Sequence, residues 1–411
     1  MTTGVDPQSN HYKLAVKKPS LLTLIVLISY GSIGAALFTP AIPSLMQVFN
    51  VSSGFAQLSI MIFLVGYSLG QLIYSPLAKR FGRKPTLYVG ISISILGNIL
   101  CALAGPLHDF SLLIYARWIA ALGSSVGLSL TFTIISDYFY ETHARKVTAY
   151  TMLAFAVIPG VAIAIGGFLV AYLGWESCFY FLILYGAFAL YLVFRLAETS
   201  TGREKEATQF KKILRDYKRD FRNRLLILYS VLVSSTTTLV YIFAATAPLI
   251  AIRTLKLSPD TFGLLNLIPA SGYFLGNFIA AKLANRFEIK TVLNQGIVLI
   301  GLGILALSII LFGGWGGPLT LFLPVFVIYF GIPLFYSNAA VLATFRTPDK
   351  PNASSIMSFI NIGGAVIGVF VIELIPLKPL YALPTVFIGI YLLILFLFRK
   401  AQQLDTSNPD A

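Results

Sequence analysis

From Pro19 to Ala78 the chain carries no Asp, Glu, Lys, Arg or His. That run is long enough for two helices of about 20 residues, the length a bilayer demands. Residues 50–54 supply a polar turn between them. In lipid a segment must satisfy its own backbone hydrogen bonds, so a stretch of this kind is confined to helix. A single secretory leader would end far sooner. The rest of the chain agrees: 57% of its 411 residues are apolar and 11% charged, against about 25% charged in an ordinary soluble protein.

Apolar stretches recur over 20–43, 56–78, 85–105, 111–136, 147–170 and 177–195, then over 224–250, 261–283, 291–312, 318–344, 353–375 and 379–398. The expected fold is an all-α polytopic membrane protein whose twelve transmembrane helices form two six-helix bundles, 20–195 and 224–398. A tail over 1–19, a linker over 196–223 and a tail over 399–411 complete the chain. Within the linker, Phe210, Ile213, Leu214 and Tyr217 recur at helical spacing, which suits an amphipathic helix on the membrane surface. The connections are otherwise short, leaving little mass for an enzymatic domain. No nucleophile set, metal-ligand cluster or phosphate loop is organised in the chain. It is therefore expected to be no enzyme and to need neither metal nor organic cofactor.

The net charge of +14 would suit nucleic acid were it not for its distribution. Lys13, Lys17 and Lys18, the Lys79–Lys84 cluster, Arg145, Lys146, Lys282, Arg286, Lys290, Arg346, Lys350, Arg399, Lys400 and the linker all fall on one side of the expected topology. The positive-inside rule puts that side, with both termini, in the cytoplasm. Basic turns that alternate with apolar spans are solvated loops, so no nucleic-acid partner is expected. Cys101 and Cys178 lie in or beside spans without ligand-like neighbours and read as buried thiols. His11, His108 and His143 lie in loops or the tail, which argues against a histidine relay inside the bundle.

GYSLGQLIYSPLAKRFGRKPTL from Gly66 is echoed by GYFLGNFIAAKLANRFEIKTVL from Gly272, an offset of 206 residues. The offset also aligns Val51 and Ser52 with Leu257 and Ser258, where a Ser begins each helix as a cap would. Two homologous halves in parallel orientation would enclose a central path. The pairs Gly66 and Gly70, Gly272 and Gly276, and Gly166 and Gly167 give smooth faces for close helix approach.

On these residues the chain resembles the major facilitator superfamily. It is most similar to the twelve-span drug:proton antiporters and, among them, to the bicyclomycin and chloramphenicol resistance branch. SPLAKRFGRKPTL resembles the family's signature turn, with Lys79 where an Asp is usual and Arg80, Gly82, Arg83 and Lys84 in place. TPAIP at Thr39, ARWIAALG around Arg117, ISDYF with Asp137, GIPLFYSNAA and NASSIMSFIN also resemble it. Ala120 stands in place of a family Gln, and Ala36 in place of an acid usual in the first helix. The resemblance implies a monomeric inner-membrane transporter that exports a small organic solute or drug against a proton gradient, with multidrug resistance as the outcome. A metabolite importer, an uncoupled facilitator or an exchanger of the same fold is the alternative.

Intramembrane ionisable residues are the first candidates for a mechanism because lipid makes them costly. Arg117 either pairs with backbone carbonyls or serves transport. Asp137 and Glu373 are either interfacial acids or the proton carriers. Helices 1, 4, 7 and 10, which line the cavity in the resembling fold, offer Phe38, Arg117, Tyr241, Phe243 and Asn338 as solute contacts. An arginine in the cavity would favour neutral, zwitterionic or anionic solutes over lipophilic cations. The turn Lys79, Arg80, Gly82, Arg83 and Lys84 is expected to govern the balance between inward- and outward-open states.

Overall fold

The structure, a computed structural model, describes residues 18–139, 141–200, 205–209, 218, 221–283, 286–315, 317–345 and 350–407. Their regular structure is entirely helical. Eleven helical segments are long and apolar enough to cross a membrane. They are span 1 (Leu21–Val48), span 2 (Ser53–Phe81), span 3 (Arg83–Leu107), span 4 (Phe110–Ile135), span 6 (Ser177–Arg195), span 7 (Arg224–Thr254), span 8 (Pro259–Leu283), span 9 (Ile289–Phe312), span 10 (Pro318–Ala343), span 11 (Ile356–Leu374) and span 12 (Pro379–Leu404). Span 5 is the helix Glu141–Leu173, whose described apolar part, Val157–Leu173, is shorter. The last helix runs on to Ser407, into the stretch expected to be a tail. The amphipathic helix expected at Phe210 to Tyr217 lies outside the described residues, as do Lys13, Lys17 and His11.

Local chemistry explains the breaks. Span 1 leaves α-helical geometry after Ala36, passes through a 3-10 turn at Thr39–Ala41 and resumes at Ile42–Val48. Pro40 has no N–H to give to the Ala36 carbonyl, and the Thr39 hydroxyl donates to it instead at 2.9 Å. Span 2 opens on Ser52, whose side chain accepts from Phe55 N at 3.4 Å, as the sequence predicts. At span 8 the matching Ser258 occupies the cap position, but its hydroxyl meets that of Thr261 at 2.8 Å rather than a backbone N–H. Between spans 2 and 3 the chain turns on Gly82 at φ +105°, a backbone region where a Cβ would be strained.

The glycine pairs do what their spacing suggests. Gly66 and Gly70 lie against the span 4 backbone at Trp118 and Leu122, while Gly272 and Gly276 lie against span 10 at Phe326 and Phe330. Span 2 on span 4 is thus matched by span 8 on span 10. Between the two sequence halves, Gly167 meets Pro259 and Gly263, Gly160 meets Ala270, Gly54 meets Glu373, and Arg253 reaches Met46. These contacts lie in the middle of the spans or at the end away from the Lys79–Lys84 turn. Cys101 and Cys178 are buried free thiols.

Candidate functional site

Two polar constellations stand out, one in the interior and one at the basic turn. In the interior, Arg117 is fully buried. Its Nη1 donates to the Gly34 carbonyl at 3.0 Å and its Nε to the Ser59 carbonyl at 3.3 Å. The guanidinium lies 4.2 Å from the centre of the Phe63 ring and 5.0 Å from that of Phe38. Aromatic faces and carbonyl dipoles together take the place of water around the charge. Nη2 is buried without a partner. Of the five residues expected to line a cavity, Phe38 and Arg117 are therefore in contact, and Phe38 also packs on Phe179 at 4.9 Å.

The other three fall elsewhere. Phe243 meets Phe322 and Tyr329 edge-on, each at 6.0 Å. Asn338 spends its amide on Leu334 O of its own helix at 2.8 Å. Tyr241 belongs to a tyrosine cluster that draws on several spans. Tyr67 of span 2 lies within electrostatic reach of Tyr241 of span 7 and Tyr336 of span 10. Tyr273 of span 8 joins Tyr336 and Tyr241, and its ring is 6.2 Å from that of Tyr329. Asn361 Nδ2 of span 11 donates to the Tyr336 hydroxyl at 3.4 Å. The Tyr67 hydroxyl and Asn361 Oδ1 are buried without partners, a state native interiors rarely leave unanswered. Tyrosine spacing carries no period that would have revealed this cluster in the sequence.

At the basic turn, Arg83 pairs with Asp137, two residues beyond span 4, at 2.8 Å from Nε to Oδ2. Thr199 donates to the same carboxylate at 3.2 Å, and Arg83 Nη1 donates to Ser200 Oγ at 3.0 Å. Burial pushes the Asp137 carboxyl above its usual value, and Arg83 beside it pulls back without cancelling that effect. Glu198 accepts from the backbone N–H groups of Arg83 and Lys84 at 2.9 and 3.0 Å. It thereby caps the start of span 3, where a carboxylate complements the helix dipole. A methyl on Gly82 would lie 2.7 Å from Glu198 Oε2, so the glycine is needed for this approach as well as for its φ. Lys84 Nζ donates to Phe194 O at 2.9 Å and Arg80 Nη1 to Thr208 Oγ1 at 2.6 Å. Lys79 is exposed.

The turn and Asp137, separate in the sequence reading, thus form one cluster. Glu198 and Thr199 were missed; the available signal was an acid placed directly after span 6 in RLAETST. Glu373 lies at the other end of the molecule, against Gly54. Among the described residues no group of His, Cys, Asp and Glu is arranged to hold a metal.

Residues 22–368 match the family model described as Major Facilitator Superfamily. The chain is 26% identical over 322 residues to "Multidrug resistance protein D" of Escherichia coli (strain K12), covering 78% of this chain and 79% of that protein. It is 23% identical over 354 residues to the "Bicyclomycin resistance protein homolog" of Haemophilus influenzae, covering 85% and 87%. With the "Chloramphenicol resistance protein CraA" of Acinetobacter baumannii it shares 27% identity over 282 residues, covering 68% and 67%. Its fold is that of the inward-open xylose transporter XylE of E. coli, at a TM-score of 0.71 and 13% identity, over 92% of this chain and 94% of the other.

Proposed function

The chain belongs to the Major Facilitator Superfamily, and on that premise we propose that it exports a small organic solute or drug across the inner membrane in exchange for protons. The spans form two six-helix halves that rock about a shared interior, with both termini and the Lys79–Lys84 turn in the cytoplasm. Among the described residues, Gly54 with Glu373 and Arg253 with Met46 join the halves at the end away from that turn, the end this topology places outside. The reading is supported by the nearness of Tyr67, whose hydroxyl is buried without a partner, to Tyr241 and Tyr336 of the other half. A solute bound there touches both halves and biases their arrangement, which is what coupling binding to a change of access requires. The drug-resistance relatives supply the direction and the solute class.

Tyr and Asn offer ring faces, donors and acceptors but no charge. Arg117 has two of its donors on backbone carbonyls and no exposure. This favours an uncharged or zwitterionic solute over the anion that a cavity arginine would also suit. Purified protein in sealed proteoliposomes, offered neutral, zwitterionic, anionic and cationic aromatic solutes, tests this. Saturable flux of neutral or zwitterionic solutes, weakened in Tyr67→Phe, is the expected result; flux confined to anions or cations contradicts it. An uncoupled facilitator is the second reading. It is favoured by the absence of any acid from span 1 and by the engagement of Asp137 with Arg83.

A further inference from the structure

The ends of spans 2 and 11 that face away from the basic turn meet through one specific contact. Span 2 begins after Ser52, and its first-turn N–H groups have no helical acceptors, so this end carries positive potential. Glu373, next to the last residue of span 11, lies over that first turn. A methyl on Gly54 would sit 2.7 Å from Glu373 Oε2 and 4.0 Å from Ser52 Oγ, so the carboxylate occupies the space that glycine leaves. Glu373 is half-buried. Among the described residues it forms no ion pair and no side-chain hydrogen bond. What it does meet is the start of span 2 at Gly54, where the helix dipole places positive potential.

The same chemistry occurs at the basic turn, where Glu198 sits on the start of span 3 beside Gly82. The two differ in what they join. Span 3 belongs to residues 20–195, and Glu198 follows span 6 of the same half by three residues, so the two travel together. Glu373 and span 2 belong to different halves, so rigid-body opening of the outer side must separate them. We propose that Glu373 and Gly54 form an outer latch, in which the Glu373 carboxylate holds the two halves closed by docking on the N-terminus of span 2. Resting as it does on the transporter reading, this makes Glu373 a positioning residue of the access change. Removing its charge favours the outward-open state.

Spin labels at Gln47 and Lys256, exposed positions on the two halves at this end, read the separation by electron–electron distance measurement on full-length protein in lipid nanodiscs. Glu373→Gln keeps shape and removes charge; Gly54→Ala keeps charge and removes space. Each is expected to raise the ratio of long-distance to short-distance population about fivefold, the factor set by about 1 kcal/mol for a charge at a helix end. Glu373→Asp with Gly54 intact restores part of the short population. Distance distributions equal to the wild type in both Glu373→Gln and Gly54→Ala overturn the latch. Solute flux is scored separately: a distance shift in a protein that moves no solute removes the transport reading and leaves the latch standing. Flux with unchanged distances does the reverse.

Discussion

A guanidinium at zero exposure costs several kcal/mol of desolvation, returned only if its donors and ring contacts are well placed. Arg117 meets that condition in part through Gly34 O, Ser59 O, Phe38 and Phe63, with Nη2 left unpartnered. A lysine has neither the planar fork nor the stacking face. Arg117→Lys should lower the stability of the detergent-solubilised protein by about 3 kcal/mol, seen as a lower Tm, with the preference for uncharged solutes retained. A switch of preference at unchanged Tm would mean that Arg117 faces solute. Asp137 has a raised pKa in the folded state because of its burial, so its neutral form is the one favoured by folding. That contribution is complete below the usual carboxylate pKa of about 4 and is lost as pH rises through the raised value. In Asp137→Asn the Tm should therefore fall less than in the wild type across the window just above pH 4; parallel profiles contradict this. The sequence made Arg117 and Asp137 visible because charge is rare in spans. It also named Arg83 and Phe38, one partner of each, but concealed Gly34, Ser59 and Thr199, residues of no distinctive type.

At the scale of elements, the turn between spans 2 and 3 shows how one glycine serves two constraints. Gly82→Ala imposes a side chain at φ +105° and pushes on Glu198. A loss of about 1–3 kcal/mol is expected, measured by thermal unfolding; an unchanged Tm would contradict the role given to the Glu198 cap. Lys79 occupies the last turn of span 2, the negative end of that helix, where a cation is favourable by about 0.3–1 kcal/mol. Lys79→Asp should shift the balance between inward- and outward-open states while membrane insertion stays intact. Unchanged accessibility of cysteine probes on both faces would count against it. The helix start at Ser52 was readable because a cap depends on neighbours in the chain. The 3-10 turn in span 1 had a local signal in Pro40 that went unread, and the π-turn at Leu249–Thr254 was not foreseen.

For the whole molecule, the 206-residue offset reappears as packing: span 2 on span 4 and span 8 on span 10, each through a glycine pair that reaches backbone carbonyls of its neighbour. The all-helical membrane fold and the glycine contacts of the repeat were legible because hydropathy and close approach leave marks on composition; twelve spans were expected, and eleven described segments are long and apolar enough to cross. The tyrosine cluster and the Glu373 contact were not, because each is assembled from residues far apart in sequence that alone are indistinguishable from packing residues. On the proposed function, solute and protons exchange across the membrane through one alternating interior. It is tested most directly in sealed proteoliposomes carrying an internal pH dye, by imposing a pH gradient and recording neutral-solute accumulation and proton movement together. The account predicts solute accumulation against its gradient with proton flow in the opposite direction, abolished when the pH gradient is collapsed. Solute flux that only equilibrates and moves no protons would contradict it.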